Sequence, residues 1–112
     1  MATPVINSIS PASGPTAGGD LARITGVSFA DRIEVLLGDA EATVISVRDE
    51  AGSSIADIRT PSRVAGTVDV VVRNLDAMGI PVPGEEALLL DAYRFLAPQI
   101  IREADLTRLV RG

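Results

Sequence analysis

The sequence predicts an all-β fold: a sandwich of about seven short strands followed by a short C-terminal helical segment. Three observations carry this. Hydrophobic residues make up 46% of the 112 residues but aromatics only 3%. Val, Ile, Leu and Ala must therefore build the interior, and most Val and Ile fall in short runs of the kind that suit strands. Those runs alternate apolar with polar residues and are separated by turn residues at short intervals, the spacing of a sandwich or barrel and not of βα units. One domain is expected at this length, burying roughly two-thirds of the unfolded chain's surface, enough for one modest core without metals or crosslinks.

The elements follow in order. "PVINSI" (4–9) opens with a Pro that cannot donate to a ladder, so it reads as an edge strand. "SISPASGPTAGGD" (8–20) holds three Gly and two Pro and is too long for a tight hairpin; it reads as a stiff irregular crossover. "LARITG" (21–26) turns Ala22, Ile24 and Gly26 to one face, the inner one, and Leu21, Arg23 and Thr25 to the other. "RIEVLLG" (32–38) sets Ile33, Val35 and Leu37 inward and ends at a Gly38-Asp39 turn. "EATVISVRDE" (41–50) leads into a turn at "EAGSS". "IADIRTP" (55–61) places Ala56 and Ile58 in phase until Pro61 ends pairing. "TVDVVVRN" (67–74) is the clearest strand, with Val68, Val70 and Val72 inward, and is expected at the centre of the fold. "LDAMGIPVPGEE" reads as a long exposed loop. "ALLLDAYRFL" (87–96) closes the domain with Tyr93 and Phe95 on one face.

Residues 97–112 differ in character from the domain spanning 1–96. Pro98 breaks the strand, and "EADLTRLVR" spaces Leu106, Leu109 and Val110 at i, i+3 and i+4, a narrow apolar stripe flanked by Arg108 and Arg111. Such a helix is shorter than the ~12 to 15 residues that are marginally stable alone in water. Either it is a tail that frays, or it docks on a surface or leads into a further domain; the docking reading makes these three residues the candidate partner-binding site, for a protein partner or for self-association.

Charge and composition narrow the function. The net charge is −5, the wrong sign for gripping phosphate backbones or anionic membranes, so nucleic acid is not an expected partner. No stretch approaches 18 consecutive apolar residues, so membrane insertion is not expected. The start, "MATPVINSIS", lacks the basic and apolar regions of a signal peptide, and a cytoplasmic or particle-associated setting is expected. There is no Cys, His or Trp. That removes disulfides, thiolate and imidazole metal ligands, the commonest general base and the best sugar-stacking ring. The basic residues are all Arg, and the carboxylate pairs Asp39/Glu41, Asp49/Glu50 and Glu85/Glu86 flank turns, where solvation explains them. No run resembles a calcium loop. Neither a catalytic site nor a cofactor is expected. "GPTAGGD" also lacks the Lys of a P-loop and the spacing of a dinucleotide fingerprint.

The blocks "PVINSISPASGPTAGGDLARITGVSF", "VLLGDAEATV", "RTPSRVAGTVDVVVRN" and "DAYRF" stand in the order of the IPT/TIG family of immunoglobulin-like domains. The chain up to about Phe95 resembles that family. It departs from the pattern at Ser28, where many relatives resemble "TGTGF", and in a longer segment from Leu75 to Leu88. The resemblance implies an immunoglobulin-like β-sandwich that serves as a non-enzymatic structural or interaction module within a larger assembly. By analogy the assembly is a phage or phage-tail-like particle; the alternative is an accessory domain of a cell-surface or polysaccharide-acting protein. The resemblance also implies burial of Phe29, Tyr93 and Phe95, which disfavours a carbohydrate platform.

Overall fold

The computed structural model describes residues 3–97 and contains eight strands and no helix among them. They are β1 (Val5–Ser10), β2 (Ser13–Pro15), β3 (Leu21–Val27), β4 (Ile33–Leu37), β5 (Ala40–Glu50), β6 (Ser53–Arg59), β7 (Gly66–Leu75) and β8 (Pro81–Leu96). The expected C-terminal helix, with Leu106, Leu109 and Val110, lies outside the described residues.

In place of two separate sheets, the eight strands join into one curled sheet in the order β1-β3-β6-β5-β4-β7-β8-β2. The join is β5. Its first residues, Ala40–Ala42, pair antiparallel with β4, and from Thr43 onward it pairs with β6, with a bulge that skips Ile45. A bulge of this kind bends and twists the strand that carries it, so β5 belongs to both halves and carries the sheet around a corner. The curl brings β1 against β8, and the fold is nearly barrel-shaped. The described strands thus form one continuous sheet and the expected two-sheet sandwich is not confirmed; spacing along the chain does not reveal a strand that changes partners midway.

The inward faces follow the alternation. Ala22 and Ile24 of β3, Ile33, Val35 and Leu37 of β4, Ala56 and Ile58 of β6, Val68, Val70 and Val72 of β7, and Tyr93 and Phe95 of β8 are all buried in one core. β7 lies between β4 and β8 in the interior of the sheet, as expected. The Tyr93 and Phe95 rings pack edge to face with centroids 5.0 Å apart, a favoured aromatic geometry.

Two connections differ from expectation. Within the crossover, Ser13–Pro15 forms a strand of its own that runs parallel to Arg94–Leu96, although its Pro and Gly content reads as irregular. A strand this short, at the sheet edge, tolerates Pro15 because its missing N–H is not needed on the outer side. Backbone bonds extend the lacing: Arg94 N donates to Ala12 O, Arg63 N to Thr16 O and Gly19 N to Thr60 O. Gly14 is buried under the Tyr93 hydroxyl, which leaves no room for a side chain. Gly18, at φ +74°, would place a Cβ 2.5 Å from the Pro61 backbone. The glycines thus allow close approach and left-handed turns.

The second difference is the segment after β7. The expected long loop is instead a β-hairpin: β8 begins at Pro81, opposite Leu75, and continues for 16 residues. The Asp76 side chain folds the turn by accepting from Met78 N and Ile80 N at 2.9 and 3.0 Å, the Asx-type capping that lets Asp form tight turns. Pro81 starts the strand and Pro83 lies on its exposed edge, positions where prolines do not break a ladder. They read as loop residues only when the partner strand is unknown.

Candidate interaction surface

Strands β4, β7 and β8 bury alternate residues, so the residues between face outward. Leu36 lies directly opposite Val71 and Val71 opposite Leu88, and on the other side Leu36 faces Glu41 of β5. An apolar row thus crosses three strands. Leu88 is 53% exposed and Leu90, farther along β8, is 67% exposed. Leu90 shares the outward phase of Leu88 and opens a bulge: Val70 pairs Leu89 and Val68 pairs Tyr93, so Leu90, Asp91 and Ala92 answer to Asp69 alone. Asp91 adopts φ +49° there, and its N–H donates to Asp69 Oδ1 at 2.8 Å.

One row away, Arg73 bridges Glu86 and Glu34 at 2.7 and 3.0 Å. The hydrogen bonds that Arg73 donates to Glu86 and then to Glu34 hold its pKa above the usual value. This trio carries a net negative charge, and Asp69, Asp91 and Glu41 border the row on its remaining sides. The surface is therefore a small apolar strip with an acidic rim.

The outer face of β3, β6 and β5 is different. Arg23 and Arg48 both reach Asp57, at 2.9 and 2.8 Å, and Arg48 also bonds Glu50. Hydrogen bonds from Arg23 and Arg48 hold the Asp57 carboxyl down to about 2. Beside this ladder a groove of about 370 Å³ is lined by Ser10, Leu21, Ala22, Arg23, Ile45 and Asp57. Its charges are mutually satisfied, so it offers an incoming ligand little beyond Leu21 and Ile45.

Buried polar groups fix the frame. Asn74 is 2% exposed; its side chain accepts from Ala30 N at 2.8 Å and donates to Ser28 O and Glu85 Oε1. It thereby pins the 28–30 turn against the β7–β8 hairpin. The Ser54 hydroxyl accepts from Phe29 N and donates to Asp49. Burial pushes the Tyr93 hydroxyl above its usual pKa.

The candidate partner residues from the sequence, Leu106, Leu109 and Val110, lie outside the described residues. Phe29, Tyr93 and Phe95 are 7%, 1% and 1% exposed, and they are all the aromatic residues of the chain, so no ring is free to stack on a sugar. Among the described residues no group of three or more His, Cys, Asp or Glu is placed to hold a metal ion. Sequence reasoning missed the row of Leu36, Val71 and Leu88. The outward phase of each residue is readable from "VLLG", "VVVRN" and "ALLL", but the registers that align them are not.

The family model described as the IPT/TIG domain matches residues 4–82. No curated protein matches the sequence significantly. Among solved structures, an auxiliary nutrient binding protein from Bacteroides ovatus is similar, with a TM-score of 0.66 and 19% identity over 87% of this chain. The chain corresponds to 21% of that protein's length. At this identity the likeness is one of fold.

Proposed function

The chain belongs to the IPT/TIG domain family, and from that premise we propose that it is a non-enzymatic interaction module, an accessory immunoglobulin-like domain that docks on protein. The observation that carries this reading is the acid-rimmed apolar row of Leu36, Val71 and Leu88, extended by Leu90. Leu88 and Leu90 stand exposed on β8 beside the half-buried Leu36 and Val71, and contiguous apolar patches of this kind mark contact surfaces. A protein-facing role also agrees with the burial of every aromatic ring, which leaves sugars no stacking platform. The sequence spacing of Leu106, Leu109 and Val110, which lie outside the described residues, is assigned by this reading to protein contact as well.

Of the two settings expected from the sequence, the resemblance to part of an auxiliary nutrient binding protein favours an accessory immunoglobulin-like domain of a larger protein. No comparison favours a phage-tail-like particle, and that setting is not carried forward. A photo-crosslinking residue at Leu88, used in extract from the source cells, tests the reading, alongside a glycan array with the purified chain. Discrete protein adducts and a blank array are expected. Specific glycan binding without protein adducts would replace the docking role with a carbohydrate one.

A further inference from the structure

We propose that the cleft where β5 parts from β4 binds an extended, basic peptide segment of a partner protein, which adds as a strand to the open edge of β5. The site is separate from the row of Leu36, Val71 and Leu88 and does not depend on it. β4 and β5 pair only from Leu37↔Ala40 to Val35↔Ala42, and beyond Ala42 β5 keeps β6 alone as a neighbour. Among the described residues, no strand lies along its other edge there.

Neighbouring bonds fix where the backbone groups of that edge point. Thr60 N donates to Asp20 O, so in β6 the even-numbered Ser54, Ala56 and Ile58 turn their N–H and C=O groups to β3, and the odd-numbered Ile55 and Asp57 turn theirs to β5. Ile55 and Asp57 stand opposite Arg48 and Ser46. Arg48 and Ser46 therefore bond to β6, and Val47 and Asp49 point their N–H and C=O groups the other way, into the cleft. The two-residue turn at Ala51 and Gly52, both at positive φ, sets the same phase by making Glu50 and Ser53 a bonded pair. On the facing wall, Leu75 N donates to Arg32 O and Gly38 N to Asp69 O. Even-numbered residues of β4 thus face β7, and Ile33, beyond the last rung to β5, opens its own groups to the cleft.

Open backbone groups on an edge are a template for an added strand, which gains affinity from main-chain hydrogen bonds and specificity from its alternate side chains. The cleft holds about 340 Å³, and its lining includes Ile33, Val44, Ile45, Val47, Leu75 and Gly79. Ile33 is buried and Val44 and Val47 pack on the core, so the floor is apolar. Every second side chain of the occupant meets that floor and is apolar in turn.

Charge selects the rest of the occupant. Asp31 and Arg32 line the cleft, Asp76 follows the lining residue Leu75, and Asp49 lies on the open edge two residues from Val47. Arg48 is held by Glu50 and Asp57, so Asp31, Asp49 and Asp76 are balanced only by Arg32. Two copies of this chain pairing edge to edge would bring like carboxylates together, which is destabilising. A segment with Lys or Arg between its apolar residues meets attraction instead.

A random heptapeptide display library panned on the purified full chain supplies the probes, and amide hydrogen exchange by NMR reads the site. Peptides that alternate apolar residues with Lys or Arg should be recovered. A synthetic copy of one should slow exchange at Val47 and Asp49, whose amides exchange fast in the free protein although they lie within a strand. N-methylation of that peptide should weaken binding about tenfold at each alternate residue whose N–H faces β5, the loss of one main-chain hydrogen bond, and less at the residues between. Asp49→Pro removes an outward N–H without breaking a rung to β6 and should lose the peptide while circular dichroism shows it folded; should it not fold, the N-methyl series decides alone. Recovery of no peptide, or of acidic ones, would overturn the proposal. So would protection confined to other strands, or N-methylation effects without a period of two. Adducts at a Leu88 crosslinker do not involve this edge, so failure here leaves the interaction-module reading standing.

Discussion

Replacing Gly14 with Ala tests the contact that ties the crossover to β8. Gly14 is not at positive φ, so alanine is conformationally acceptable and the cost comes from space alone. A Cβ there would overlap the Tyr93 hydroxyl oxygen, far inside the 3.0 Å that real Cβ contacts keep, while the next atoms, Tyr93 Cζ and an Asp20 carboxylate oxygen, would be 3.4 Å away, an ordinary contact. Overpacking of this kind costs about 1 to 3 kcal/mol, and for a domain of about 100 residues each kcal/mol lowers Tm by roughly 4 to 8 °C. Gly14→Ala should therefore melt roughly 5 to 20 °C below wild type. The Tyr93 hydroxyl is buried without a hydrogen-bond partner, so Tyr93→Phe alone should change stability by less than about 1 kcal/mol. The double variant removes the overlapping atom and should recover most of the loss, giving a favourable coupling of about 1 to 2 kcal/mol. Thermal and urea unfolding of the four proteins closes this cycle. A double variant no more stable than Gly14→Ala would refute the argument that the hydroxyl alone forbids a side chain.

Val70 is fully buried, and Val70→Asp should leave the chain largely unfolded by circular dichroism, because an unpaired buried charge costs several kcal/mol of a total near 5 to 15. Asp69→Asn should be almost silent in the same measurement, since its amide oxygen can still accept from Asp91 N. Ser28 sits at φ 63°, a region that costs a non-glycine residue about 1 kcal/mol; Ser28→Gly should raise Tm by a few degrees, less than the full amount because glycine also frees the unfolded chain. Asn74→Ala removes the acceptor of Ala30 N and the donor to Ser28 O and should cost about 2 to 3 kcal/mol by urea unfolding. The folded-state Asp57 carboxyl is lowered from 3.8 to about 2. Its contribution is therefore present above about pH 4 and is lost as pH falls through about 2. The Tm advantage of wild type over Asp57→Asn should be constant near neutrality and vanish at the acid end; an advantage independent of pH would show that the Arg23 and Arg48 bonds do not depend on the charge.

What the sequence determined by itself is the in-or-out assignment of side chains. Ile33, Val35 and Leu37, then Val68, Val70 and Val72, then Tyr93 and Phe95 are buried where period-two alternation placed them, because in a strand the face of each residue is fixed by its immediate neighbours. The family was legible for a related reason: the spacing of Pro11, Gly14, Pro15, Gly18 and Gly19 records backbone demands local to the crossover. Tertiary structure alone decided which strands meet. Backbone N–H and C=O groups are the same in every residue, so nothing in "SGP" announces a parallel partner at Arg94–Leu96, nothing in "EATVISV" shows that β5 passes from β4 to β6, and nothing in "PVPGEE" distinguishes the arm of a hairpin from a loop. The candidate surface divides the same way. That Leu36, Val71, Leu88 and Leu90 point outward follows from their phase, but their convergence into one strip depends on two interstrand registers and on a bulge opposite Asp69, relations set by the pairing of segments far apart in the chain.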